Sequence, residues 1–121
     1  MENRYLYRGK RIDNGEWIQG YLYGIWERRY ILWGMTNDIP DMVEVDPATV
    51  CQCTGYEGIY EKDIFRCEDE DYVIKWSDDS LRWEAVSLFT DVSVSLAEFN
   101  PDYIDVIGNE IDNPELLEVQ K

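Results

Sequence analysis

The side chains best suited to chemistry lie in two acidic runs, Glu68-Asp69-Glu70-Asp71 and Asp78-Asp79. Carboxylates so concentrated could hold Mg²⁺ or Ca²⁺, or seed a two-metal nuclease site. A calcium loop, however, spaces its ligands at alternate positions, bends on a glycine and closes on a distal glutamate. The first run has no such glycine and reads as a solvated hairpin tip. A two-metal site needs carboxylates that converge in a cleft, and no convergence is visible. The cysteines are the next candidates. Cys51-x-Cys53 with the distant Cys67 could supply three thiolates, but no fourth ligand is evident. No metal and no cofactor are therefore expected. Histidine is absent altogether, which removes imidazole acid–base catalysis and the Ser–His and Cys–His pairings. An enzyme is not expected.

Composition narrows the class further. The chain has 121 residues, 45% of them apolar and 14% aromatic, with five Trp and nine Tyr. That is enough to build a core without disulfides. Eleven Lys and Arg stand against 26 Asp and Glu, a net charge of −15. Binding to nucleic acid or to an anionic membrane needs a basic face, so neither is expected. The odd cysteine count suits a reducing compartment. The N-terminus lacks the basic-then-apolar run of a signal peptide, and no stretch reaches the length of a membrane span. The expectation is a soluble cytoplasmic protein. Charge is unevenly spread. Residues 1–33 carry six basic and four acidic side chains, a net +2, and the remainder carries −17.

The elements that must position these groups are short strands. Tyr5–Arg8 and Glu16–Tyr23 read as strands joined across Asp13-Asn14-Gly15, residues that tolerate a positive φ. Glu27-Arg28 turns the chain into Tyr30–Trp33, and Met42–Val45 is a further strand. Asp46-Pro47 suits a single helical turn. In the second half Ile59–Cys67 holds a turn and then a strand. Tyr72–Trp76 and Leu81–Leu88 follow, separated by Ser77–Ser80. Leu96–Phe99 is a helical turn, Tyr103–Ile107 the last strand, and Asn113-Pro114-Glu115 opens a short helix. Strands at such spacing, with turn residues between, predict an all-β barrel or sandwich.

Four segments, taken together, resemble the YopX family of phage and prophage proteins. They are Tyr7-Arg8-Gly9-Lys10-Arg11 with Asn14-Gly15-Glu16-Trp17, and Val45–Val50 running into Gln52-Cys53-Thr54-Gly55. Next come Ile59–Ile64, and then Ile107-Gly108-Asn109 with Asp112–Leu117. They occur in the family's order and cover nearly the whole chain. Two departures stand out: the family usually has glycine where Lys62 stands, and a longer loop where only Tyr56-Glu57-Gly58 remain. The missing glycine implies a turn before Asp63 that is made differently here. The resemblance implies N-terminal β-hairpins (residues 1–50) packed on a small SH3-like barrel (residues 51–121). It also implies a phage or prophage source in a bacterial cell. It brings no catalytic residue. Gly9, Gly55 and Gly108 are expected at positive φ or at close backbone approaches. Asp63, Asn109 and Asn113 are expected to accept backbone N–H groups.

Aromatic residues are the remaining candidates. Trp17, Tyr21, Tyr23, Trp26, Tyr30, Trp33, Trp76 and Trp83 exceed what one small core readily encloses. Trp17, Tyr21 and Tyr23 share a parity and so one strand face, while Ile18 and Leu22 make the other face apolar too. A sheet apolar on both sides asks for a second layer or another subunit. Trp17, Tyr21, Tyr23, Trp26, Tyr30 and Trp33 are the candidate interaction surface. The function this favours is a non-enzymatic phage accessory protein that self-associates as a homo-oligomer or docks on a host or phage protein. A second possibility is an acidic mimic of DNA that occupies a host DNA-binding protein. A metal-dependent nuclease comes last.

Overall fold

The computed structural model describes residues 5–119. The chain divides into two compact units, with the boundary between Tyr60 and Glu61. Residues 51–60 thus group with the N-terminal sheet, whereas the sequence placed them with the second half.

The first unit is an antiparallel sheet of five strands: β1 (Leu6–Lys10), β2 (Trp17–Ile25), β3 (Arg28–Thr36), β4 (Ile39–Val45) and β5 (Cys51–Gln52), in the order β4-β3-β2-β1-β5. Turn chemistry sets the register. Gly15 takes a φ of +73° before β2, while the Asn14 side chain accepts the Glu16 N–H at 2.9 Å. Asn37 and Asp38 both take positive φ and join β3 to β4 as a two-residue hairpin, the pattern of a type I′ turn. The face bearing Ile18, Gly20, Leu22, Ile31, Val43 and Val45 looks inward, and Ile31 and Val45 are fully buried. A side chain at Gly20 would overlap the carbonyl oxygen of Leu32, so only glycine lets β3 lie so close. The sheet curls until the end of β1 reaches the end of β4. Arg11 bridges to Val45, the Ile12 N–H donates to the Glu44 carbonyl at 3.1 Å and that of Asp46 to Lys10 at 2.8 Å. Asp46 then caps a 3-10 turn over Pro47–Thr49 through the Ala48 N–H, as its sequence predicts.

The second unit holds β6 (Asp63–Cys67), β7 (Glu70–Ser77), β8 (Arg82–Ser87), β9 (Ser93–Ser95) and β10 (Asp105–Asn109), in the order β10-β6-β7-β8-β9, followed by the short helix α1 (Glu115–Val119). One face packs Ile64, Val73 and Leu88 against Val86, Ile107, Leu116 and Leu117. The other stacks Phe65 on Tyr72 with ring centroids 5.2 Å apart, and Phe99 meets both rings edge-on. The all-β class holds, but the second sheet does not close into the expected barrel. Its outer strands β9 and β10 remain edges. Nine residues between them form two 3-10 turns, Leu96–Glu98 and Pro101–Tyr103, capped by Ser95 and Asn100. Those turns use the chain length a closing strand would need. They also displace the last strand, which starts at Asp105 and not at Tyr103.

Lys62 overturns one expectation. Its φ is +72°, so the left-handed turn that a glycine would favour is kept without the glycine. Both of its backbone groups are committed, the N–H to Ile74 and the carbonyl to the Glu110 N–H, each at 2.9 Å. The remaining family motifs are structural as well. Gly55 takes a φ of +104°, whereas Gly9 lies against Val45 and Gly108 against Asn113.

Candidate functional site

The two acidic runs do not converge. Glu68 and Asp69 are the two loop residues of the β6–β7 hairpin, both at positive φ. Glu70 and Asp71 follow on β7, where successive side chains leave opposite faces. Glu70 accepts the Ser87 hydroxyl at 2.6 Å. Asp71, buried, takes the Arg66 guanidinium in a two-point pair at 2.8 and 3.2 Å, which raises the Arg66 pKa above its ordinary value. Asp78 accepts the Trp76 indole N–H at 3.1 Å. The Trp76 and Trp83 rings meet edge-on at 5.2 Å. The thiols of Cys51 and Cys53 donate to the carbonyls of Thr49 and Tyr56. Among the described residues no three His, Cys, Asp or Glu side chains are grouped as a metal would need.

The six aromatic residues singled out in the sequence all lie in the first unit, on β2, β3 and the turn between them. The registers place Leu6, Arg8 and Lys10 of β1 beside Tyr21, Gln19 and Trp17 of β2. Tyr23 stands opposite Tyr30, with ring centroids 6.2 Å apart, and Tyr30 opposite Glu44. Leu32 stands between Tyr21 and Met42. These residues share the outward face of the sheet. Trp33 occupies a bulge in β3, where the pairing with β4 shifts between Leu32 and Gly34. Bulges re-aim a side chain, and Trp33 is exposed.

Around this bulge runs an open groove of ≈ 460 Å³ lined by Leu6, Gln19, Tyr21, Leu32, Met35 and Pro40 among others. Met35 and Met42, both exposed, were not recognised from sequence. The Asn37-Asp38 turn was the available signal, because once it is placed the register brings Met42 beside Leu32. Methionines on an exposed face adapt readily to differently shaped partners.

Cations rim the same face. The Arg8 guanidinium lies between Trp17 and Tyr60, 4.6 and 4.7 Å from their ring centroids, and the Lys10 ammonium sits 5.4 Å from that of Trp17. Trp17 is therefore half-covered, a structural ring more than a free one. Arg28 is exposed; the Tyr30 hydroxyl, and then the Glu44 carboxylate, raise its pKa above the ordinary value.

Trp26 marks the tip. It is 85% exposed with a φ of +53°, and it is the first of two residues between the paired Ile25 and Arg28. Only that first residue has positive φ, the signature of a type II′ turn, where glycine is the preferred occupant. Arg29 braces the turn, donating from Nη1 to the carbonyls of Trp26 and Arg28 at 2.9 Å each. A bulky side chain in the left-handed region costs about 1–2 kcal/mol. The backbone thus bears a strain to display an indole in solvent.

The site is an aromatic, methionine-bearing sheet face with a basic rim, carried on an all-β chain whose second half is strongly acidic. The chain belongs to the YopX protein family, whose model it matches over residues 6–118. Comparison with curated proteins and with solved structures gives no match. Among the described residues no helix is long and apolar enough to cross a membrane.

Proposed function

We propose that this chain is a non-enzymatic accessory protein of a bacteriophage or integrated element, working in the bacterial cell as a docking module. It engages another protein through the outward face of its first sheet. The exposed Trp26 at a strained hairpin tip is the observation that carries this. Arg29 braces the turn but leaves the ring in solvent, and a partner that buries the ring offsets the strain. Tyr21, Trp33, Met35 and Met42 extend the surface, and family membership supports the phage setting. Exposed aromatic anchors of this kind each contribute about 2 kcal/mol or more when buried at the centre of an interface.

The test is affinity capture from host cells, with the wild-type chain compared against Tyr21→Ala/Trp26→Ala/Trp33→Ala. A protein held by the wild type and lost by the triple variant supports the proposal. A partner held equally by both contradicts it.

A further inference from the structure

The charge on the docking face differs in sign from the charge on the rest of the molecule. The strands of the face present Arg8, Lys10 and Arg28 against Glu44, with Glu27 beside Arg28 at the tip. Residues 61–121, in contrast, contain 17 Asp and Glu and five Lys and Arg. A basic-rimmed aromatic face selects an acidic surface, since like charges placed opposite each other at an interface disfavour the contact.

We propose that the partner is a second copy of this chain, docked head to tail, with the first-sheet face of one copy on the acidic second unit of the next. This rests on the docking function above and names its partner. The second unit offers more than charge. An open depression of ≈ 520 Å³ is lined there by Cys67, Glu68, Glu98, Phe99, Asn100 and Tyr103. Its two carboxylates suit the Arg28 guanidinium, and its two rings suit the indole of Trp26. The depression has no cation of its own among those residues, so the incoming arginine supplies the missing sign. Such a contact joins two different surfaces, so each copy gives one and receives on the other.

Sedimentation velocity on the full chain, across a concentration series at low and at moderate NaCl, reads this directly. The wild type associates at moderate salt, where screening relieves the repulsion between copies that each carry −15 while the close charge pairs of the contact still act. Arg28→Glu lowers the association constant about tenfold or more, the usual scale for a close interfacial charge pair. Pairing Arg28→Glu with Glu98→Lys in a mixture restores part of that loss. A second mixture fixes the geometry. Trp26→Gly/Arg28→Glu has a damaged face but an intact second unit, so it caps wild-type assemblies and lowers their mean mass. Exclusion of that variant from wild-type assemblies overturns the head-to-tail contact. A wild type that stays monomeric at both salt concentrations overturns self-docking, and leaves the docking function itself to the capture experiment. Thermal melts of each variant confirm that it is folded.

Discussion

Asn109 and Asn113 hold each other across the last turn of the chain. The Asn109 N–H donates to Asn113 Oδ1 at 3.2 Å, and the Asn113 N–H donates to the Asn109 carbonyl at 2.8 Å. Asn109 Oδ1 also accepts the N–H groups of Ile111 and Asp112, at 2.9 and 2.8 Å. This clasp ties β10 to α1, whose Leu116 and Leu117 pack on the core of the second unit. The family's tail motif is thus a fold device.

Asn109→Ala removes the acceptor of two part-buried backbone donors and is expected to cost about 2 kcal/mol. Asn109→Asp keeps the acceptor but replaces the Nδ2 donor to Asp112 Oδ2 (3.3 Å) with a second carboxylate, so it too is expected to destabilise. A Cβ at residue 108 would lie 2.5 Å from Asn113 Oδ1 and 3.1 Å from Leu116 Cδ1, so Gly108→Ala is expected to cost about 1–3 kcal/mol through overpacking. Urea denaturation checks all three, and equal midpoints for the wild type and Asn109→Ala would refute the clasp.

Lys62→Gly is expected to stabilise the protein. Relief of the left-handed backbone, about 1–2 kcal/mol, outweighs the greater freedom of glycine in the unfolded chain, about 0.5–1 kcal/mol. The net gain is about 0.5–1 kcal/mol. Both backbone hydrogen bonds of residue 62 remain available. A lower melting temperature for Lys62→Gly than for Lys62→Ala would contradict the assignment of strain.

Tyr72 gives an alkaline signature. Burial, followed by the charge of Glu70, raises its pKa above the ordinary value of 10.0. The folded state therefore holds the phenolic proton more tightly than the unfolded state. Its contribution to stability is complete below about pH 10 and is lost as pH rises through the folded-state pKa. Absorbance titration should show a late phenolate component that disappears in Tyr72→Phe, and Tyr72→Phe should lose stability less steeply above pH 10. Identical slopes would remove Tyr72 as the cause.

Salt acts on the fold through the net charge. At −15 self-repulsion weakens the folded state, so added NaCl should raise the melting temperature of the dilute monomer from its low-salt value. A melting temperature that stays flat or falls would contradict the repulsion argument.

What the sequence made legible was local. Asn14-Gly15 and Asp46-Pro47 act within a few residues, and each forms the turn or cap its chemistry predicts; Asn113-Pro114 precedes the short helix as expected, but the Asn113 side chain reaches back to the Asn109 N–H. The common face of Trp17, Tyr21 and Tyr23 follows from period two alone. Less legible was anything set by pairing at a distance. The length of β3 and β4 depends on a turn at Asn37-Asp38, two residues with moderate turn signals and no glycine. Openness of the second sheet depends on two 3-10 turns, one of them started by Asn100-Pro101, which the sequence reading passed over. The strain at Lys62 and Trp26 was hidden because neither residue type announces a positive φ.

Trp26→Gly separates function from fold most directly, with melting temperature and association measured on the same sample. Glycine suits the turn position, so stability should rise by about 0.5–1 kcal/mol and the melting temperature by a few degrees. Association at moderate salt should fall about tenfold or more. A variant more stable than the wild type and deficient in association is the predicted result. Association unchanged by the loss of the indole would contradict the account.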